Sequence, residues 1–483
     1  MDRRELLKFG GLAAVELGAA NLLLSQSQPG MPGMQASPAQ AENSKADFTL
    51  RIAPVTVELT PARIISTIGY NGTSPGPVLR MKEGKPVTVE VINETDVPEL
   101  VHWHGLFLPA EVDGVEEENT PMVPPRGSIR YQFTPRPAGT RWYHTHTMAG
   151  SDLHRGAYTG QFGFLMIEGG NNPGNFDQEV FLALREWEPF FNPEEDDDDE
   201  QNNPGPQPER PKVLDTSPSG LEVGYQMFSI NDKAMGAGEP IRVQPGQRVL
   251  VHLLNASASM NRRIALPGHR FQILALDGNP VPTPQTVDAI DIGPGERVDA
   301  IVEMSQPGVW ILGTTTDDAR NGGMGVVIEY ANQHKQPQWA PPSKSPWDYT
   351  IFGRTGTQPT PDATIDMIFQ KIPSGAGIFN SWTVNGKEYP HDQEFVLKKG
   401  ARYRLVFRNR SEDDHPLHMH RHLFEIIEIN GKTTSGVMKD TVIVPGYGRA
   451  TVDMVADQPG LTLFHCHIQQ HMDYGFKALF RYA

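Results

Sequence analysis

The chain has 483 residues, 38% of them hydrophobic, with 47 glycines, 42 prolines and a formal net charge of −16. At about 150 residues per domain, that length implies roughly three domains instead of one core. The acidity excludes a nucleic-acid partner, which needs a basic surface to meet phosphate, and it leaves no polybasic patch for anionic lipid.

Reading from the N-terminus, Arg3 and Arg4 precede Leu-Leu-Lys and an apolar stretch that ends near Leu24. This pattern resembles a twin-arginine export signal, with Ala39-Gln40-Ala41 as its cleavage site. Residues 1–41 are therefore read as a signal handled by the twin-arginine export machinery, and the mature protein as periplasmic or secreted. Glu16 interrupts the apolar stretch, which makes it a poor membrane span, and no later segment is long and apolar enough to be one. An exported chain with a single cysteine, Cys466, has no internal disulfide framework.

A threefold internal repeat follows. Its opening segments carry Tyr70-Asn71-Gly72, Ile230-Asn231 and Val384-Asn385-Gly386. Next come a turn glycine and a strand that ends at an asparagine, at Gly84, Gly246 and Gly400, spaced 162 and 154 residues apart. Each copy closes on a related segment: Gly139-Thr-Arg-Trp-Tyr-His-Thr-His, Gly308-Val-Trp-Ile-Leu-Gly-Thr-Thr and Gly460-Leu-Thr-Leu-Phe-His-Cys-His. Short alternating runs punctuated by Gly, Pro and Asn predict an all-β protein of three tandem β-sandwiches over 45–170, 176–335 and 345–483. The acidic run from Glu194 and the prolines through Pro211 read as a solvated loop inside the second copy.

Aligning the copies sets His144 and His146 against His465 and His467, whereas the second copy has Gly313 and Thr315 there. Copies one and three are therefore expected to carry the chemistry, and copy two to be a spacer. Ten of the sixteen histidines fall in four clusters: His102-Trp-His104-Gly, His144-Thr-His146, His415-Pro-Leu-His418-Met-His420, and His465-Cys466-His467 with His471. Along a strand, residues i and i+2 share a face, so each His-x-His pair offers two imidazoles side by side. The four pairs predict a metal cluster between copies one and three. The same alternation turns Cys466 to the opposite face, where a thiolate with His415 and His471 makes the two-His, one-Cys set of a blue-copper centre. Zinc would call for a closed tetrahedral spacing, and a di-iron site for carboxylates. Copper fits. His154, His252, His269, His334, His391 and His422 show no such pairing and are read as structural or exposed; His422 aligns with His269 of the ligand-free copy.

Together these motifs resemble, across nearly the whole mature chain, those of the three-domain multicopper oxidases, the laccase-like family of tandem cupredoxin domains with Greek-key topology. The resemblance implies four copper ions. His415, Cys466 and His471 would bind the type 1 ion and His102 and His418 the type 2 ion. The type 3 pair would take His104, His144 and His467 on one ion and His146, His420 and His465 on the other. The family's axial position falls on Phe476, which cannot coordinate, and Met472 is a candidate substitute. Asp113 matches a family acid that assists protons, while the places of a second such acid hold Gln469 and Met472, with Asp473 nearest. Implied partners are dioxygen and a small electron donor, expected to be a phenol or aromatic amine. The alternatives are oxidation of cuprous or ferrous ions for metal tolerance and, outside catalysis, copper sequestration by a scaffold protein.

Overall fold

A computed structural model describes residues 45–170, 174–193, 220–343, 347–356, 358–374, 379–391 and 394–483. The proposed export signal and the acidic run lie outside these. Ala46–Ala483 form one compact unit whose regular structure is almost wholly strand. The longest α-helices among the described residues are the five-residue turns Asp317–Asn321 and Gln469–Asp473, and no helix is long and apolar enough to cross a membrane.

The repeat seen in the sequence is a repeat of strand pairing. Each copy opens on a strand that runs parallel to the one following its turn glycine: Phe48–Thr60 beside Val87–Asn93, Gln178–Pro193 beside Arg248–Asn255, and Ala363–Ile372 beside Arg402–Asn409. Each closes on a strand (Phe162–Glu168, Gly325–Tyr330, Lys477–Tyr482) antiparallel to Gly139–His144, Val309–Thr314 or Thr462–Cys466. Every copy thus builds two sheets whose strand order departs from chain order, as a Greek-key sandwich requires.

Asparagine does the same work in all three. Asn71, Asn231 and Asn385 sit at φ near +50°, accept the backbone N–H of Arg51, Ala183 and Ile368 at 2.7–2.8 Å, and donate to the carbonyls of Thr49, Phe181 and Asp366. An amide side chain that tolerates the left-handed region while bonding locally suits such a turn. Alternating burial along Phe48–Thr60 places Leu50 and Ile52 in the first core with Val89, Val91 and Trp103, whereas the second and third copies share one continuous apolar core from Leu182 to Phe480.

Candidate metal centre

The histidine-bearing segments converge through strand register. His102 and His144 exchange both backbone hydrogen bonds, at 2.8 and 3.1 Å, and in the third copy His418 lies directly opposite His465. The pairs from copies one and three therefore face each other, and all eight imidazoles are buried. Three trios bring one ligand atom from each residue within 4.8 Å: His102, His104 and His418; His104, His144 and His467; His146, His420 and His465. The last two are the trios expected for the type 3 pair, and the first contains the pair expected for the type 2 ion.

What each ring does with its other nitrogen sharpens the picture. His102 Nδ1 donates to the Asp113 carbonyl, His144 Nδ1 to that of Thr145, His418 Nδ1 to that of Asp440 and His465 Nδ1 to that of Cys466, all at 2.7–2.8 Å. His420 Nδ1 donates to Asp113 Oδ2 at 2.8 Å, and His104 Nε2 to Asp440 Oδ1 at 3.0 Å. These bonds fix ring orientation and tautomer, and they aim the remaining nitrogen inward. Among the inward nitrogens, His102 Nε2, His104 Nδ1, His144 Nε2, His418 Nε2 and both of His467 are buried without a hydrogen-bond partner. The Nε2 atoms of His146 and His420 lie 3.4 and 3.0 Å from that of His465. Burial, reinforced by neighbouring imidazoles, holds the rings of His104, His144, His146, His418, His420 and His465 neutral, the form that binds a metal. Buried polar atoms are otherwise paired, so a set of orphaned donors aimed at one space fits copper ions.

On the other face of the Thr462–Cys466 strand, Cys466 Sγ is 3.7 Å from both His415 Nδ1 and His471 Nδ1. His415 is oriented from behind by Ser411 Oγ at 2.8 Å from its Nε2, and His471 by the Trp382 ring at 4.0 Å. Burial pushes the Cys466 thiol up, so a thiolate there needs a cation against it. The Phe476 ring lies 4.9 Å from His415 and packs on Phe369. Met472 lines a cavity beside His146.

Two acids that sequence reasoning did not single out stand behind the rings. Asp440, opposite His104, is gripped by both terminal nitrogens of Arg297 at 2.7 and 2.5 Å. Gly105 belongs to the first motif because of this pair: it sits at φ +85°, and a Cβ there would lie 2.6 Å from Asp440 Oδ2. Glu118 is buried 3.9 Å from His420 Nδ1 and bound to Arg421 at 2.8 Å; burial, and then the nearby Asp113, raise its pKa well above the carboxylate range. Asp473 accepts from the backbone of Ala149 and Gly150 and from Gln469, so it braces a loop. Of the six remaining histidines, His252, His269 and His422 are buried and bonded through both ring nitrogens, and His154 is exposed.

Residues 52–172, 194–336 and 360–483 each match a family model described as multicopper oxidase. The multicopper oxidase MmcO of Mycobacterium tuberculosis is 29% identical over 506 residues, covering 100% of this chain and 97% of that protein. The crystal structure of a multi-copper oxidase from Pseudomonas thermotolerans superposes with a TM-score of 0.67 at 27% identity, over 91% of this chain and 100% of that one. That of Fet3p, described as a multicopper oxidase that functions in iron import, reaches 0.71 at 19% identity over 90% of both chains, a likeness of fold.

Proposed function

Because this chain belongs to the multicopper oxidase family, whose members are copper-dependent oxidoreductases acting on dioxygen, we propose that His415, Cys466 and His471 form its electron-entry site and the eight paired imidazoles its oxygen-reducing cluster. The observation that carries this reading is Cys466, whose sulfur faces two imidazoles while its chain neighbours His465 and His467 face the cluster. Copper held at the two sites would supply the redox chemistry, four one-electron oxidations against the four-electron reduction of dioxygen to water.

The protein's own part is positional. The Cys466 backbone joins the two sites covalently, and the bond from His465 Nδ1 to the Cys466 carbonyl gives a second, hydrogen-bonded connection. Asp113 braces two cluster rings, His420 through Oδ2 and His102 through its carbonyl, and leaves Oδ1 without a partner. A buried carboxylate with one oxygen free can hold a proton beside the cluster, which makes Asp113 the proton-delivering residue.

The substrate class that fits best is phenols and aromatic amines. Phe476 offers no axial donor, which by the axial-ligand argument raises the potential of the entry site and suits organic donors. Because the outer nitrogen of His415 is tied to Ser411, electrons enter at the His471 side. Export by the twin-arginine route fits this reading, since that route carries folded protein to the periplasm or outside the cell.

A copper count of four, an intense visible absorption from thiolate–copper(II), and oxygen uptake with a dimethoxyphenol are the expected results. Copper binding with no oxygen uptake from any donor would return the protein to a sequestering role. Turnover much faster on Cu(I) than on the phenol would replace the substrate class.

A further inference from the structure

Burial of the cluster rings raises a question of access, because copper has to reach them through the protein. Cavities of unequal size touch the cluster. One, of about 10 Å³, lies against His144 and His467 beside the Arg185 guanidinium, room for no more than a water molecule. The other, of about 210 Å³, has His146 in its wall.

The wider cavity is lined with the wrong residues for a mere packing void. Three thioethers from three separate segments face it: Met122, Met148 and Met472. Met148 is 52% exposed, an apolar side chain held at a solvent boundary, while Met472 and His146 are each 5% exposed. Glu116 and Glu117 belong to the same lining; Glu117 is bound to Lys477 at 2.7 Å, and Glu116 is exposed. The Arg155 side chain also contributes to the wall.

These donors form a gradient of chemistry. A carboxylate at the surface attracts any cation, but a hydrated ion loses its water on entering a confined space and needs replacement ligands there. Thioethers supply them selectively, because soft sulfur ligands favour Cu(I) over hard cations. Apolar packing alone would be served as well by leucine. The imidazole of His146 then stands at the inner end.

We propose that this cavity is the port through which cuprous copper enters the cluster, with Met122 and Met148 as transient ligands that pass it to His146. The inference rests on the placement of His146 in the copper cluster, and its test separates the two. Full-length protein made without copper is loaded anaerobically with Cu(I) as its acetonitrile complex. Filling of the thiolate site is followed by the visible absorption after air oxidation, and filling of the cluster by total copper and electron paramagnetic resonance.

The Met122→Leu/Met148→Leu double variant keeps apolar volume and removes both sulfurs. It is expected to fill the cluster at least tenfold more slowly, to fill the thiolate site at the wild-type rate, and to oxidise dimethoxyphenol normally once loaded. Ag(I), which mimics Cu(I) without redox chemistry, should slow cluster filling in the wild type and lose that effect in the variant. Equal cluster filling in both proteins overturns the port and leaves the cluster standing. Slowing at both sites alike would mark a general folding defect and also overturn it, as would unchanged loading with a raised KM for dioxygen, which would make the cavity a gas route. Failure of the wild-type protein to take copper at the cluster would sink the port together with the cluster assignment.

Discussion

His269 in the middle copy and His422 in the third occupy equivalent positions and are bonded alike. Each contacts a nearby carbonyl through Nδ1, at Pro267 and His420, and a tyrosine hydroxyl through Nε2, at Tyr330 and Tyr482. Two and four residues before His422, His420 and His418 use only Nδ1 on a protein acceptor and keep Nε2 for the cluster. The middle copy and its border with the third show the other outcome at several buried charges, which are paired where the copper-bearing copies leave nitrogens orphaned. Arg297 grips Asp440, Lys439 lies 3.0 Å from both Asp277 and Glu296, and Arg262 holds Glu186. One scaffold can therefore use the same strands for reactivity, by leaving ring nitrogens unsatisfied, or for support, by pairing both nitrogens of a ring. The middle copy is more than a spacer. Its Arg297 sets Asp440 behind His104, and its Gly295, at φ +85°, lets the His467 ring approach so closely that a Cβ would sit 2.7 Å from it.

The comparison breaks most visibly at the cysteine. Cys466→Ser should abolish the visible absorption and drop oxygen uptake to background while the cluster still binds copper, because the serine lacks the soft thiolate the mononuclear site is built on. Retained colour would show that Cys466 is not the ligand. Asp113→Asn comes next. It keeps the shape and the carbonyl that holds His102 but cannot carry a proton, so kcat should fall about a hundredfold or more with copper content unchanged. A fall of less than threefold would move the proton role elsewhere, with Glu118 the next candidate.

The proposed ligands could be picked out in the sequence because their contacts follow from local rules. Strand alternation turned Cys466 away from His465 and His467, and the repeat showed which copy lacked imidazoles. It also set His422 apart from the proposed ligands, through its match to His269. Asp440 and Glu118 were hidden for a physical reason. Their partners His104 and His420 lie 336 and 302 residues away, and an acid in Lys-Asp-Thr or Glu-Glu-Glu looks like any solvated charge until the copies are packed together. The cavity methionines were equally obscure, since they are scattered in sequence and no motif gathers them.

Arg297→Met tests whether the middle copy supports the cluster. It strands the Asp440 carboxylate in the interior, with Arg141 left 3.6 Å away, at a cost of about 3–5 kcal/mol. Burial raises the Asp440 pKa, but Arg297 and Arg141 outweigh it and hold the group below the usual range. Besides a lower Tm, the variant should change the cluster's paramagnetic signal through His104. Arg262→Met breaks another buried pair, with Glu186, neither member of which is bonded to a cluster ring, and should lower Tm while leaving that signal alone. Identical spectra in both variants would reduce Arg297 to a structural salt bridge.

A smaller effect depends on pH. Burial alone would lower the pKa of His252, but Asp299 at 2.7 Å and Glu179 at 3.1 Å overcome this and raise it to about 9. A histidine bound as the cation stabilises the fold fully below its unfolded pKa of about 6.5 and loses that contribution as pH rises through the folded value. Tm should therefore fall between about pH 6.5 and 9 more steeply in the wild type than in His252→Gln. Parallel curves would mean the imidazole is neutral in the native state.

The smallest expected change is the most pointed check on the comparison, because it concerns a histidine two residues from a proposed ligand. His422→Gln removes a ring bonded to the His420 carbonyl and the Tyr482 hydroxyl, so stability should drop by about 1–2 kcal/mol. Copper count and visible absorption should stay at wild-type values, as they should for His269→Gln in the middle copy. Equivalent losses of stability without loss of copper are what two satisfied histidines at matching positions require. If His422→Gln lost an ion while His269→Gln did not, hydrogen-bond satisfaction would no longer distinguish ligand from support, and the assignment of all eight cluster imidazoles would have to be rebuilt on other grounds.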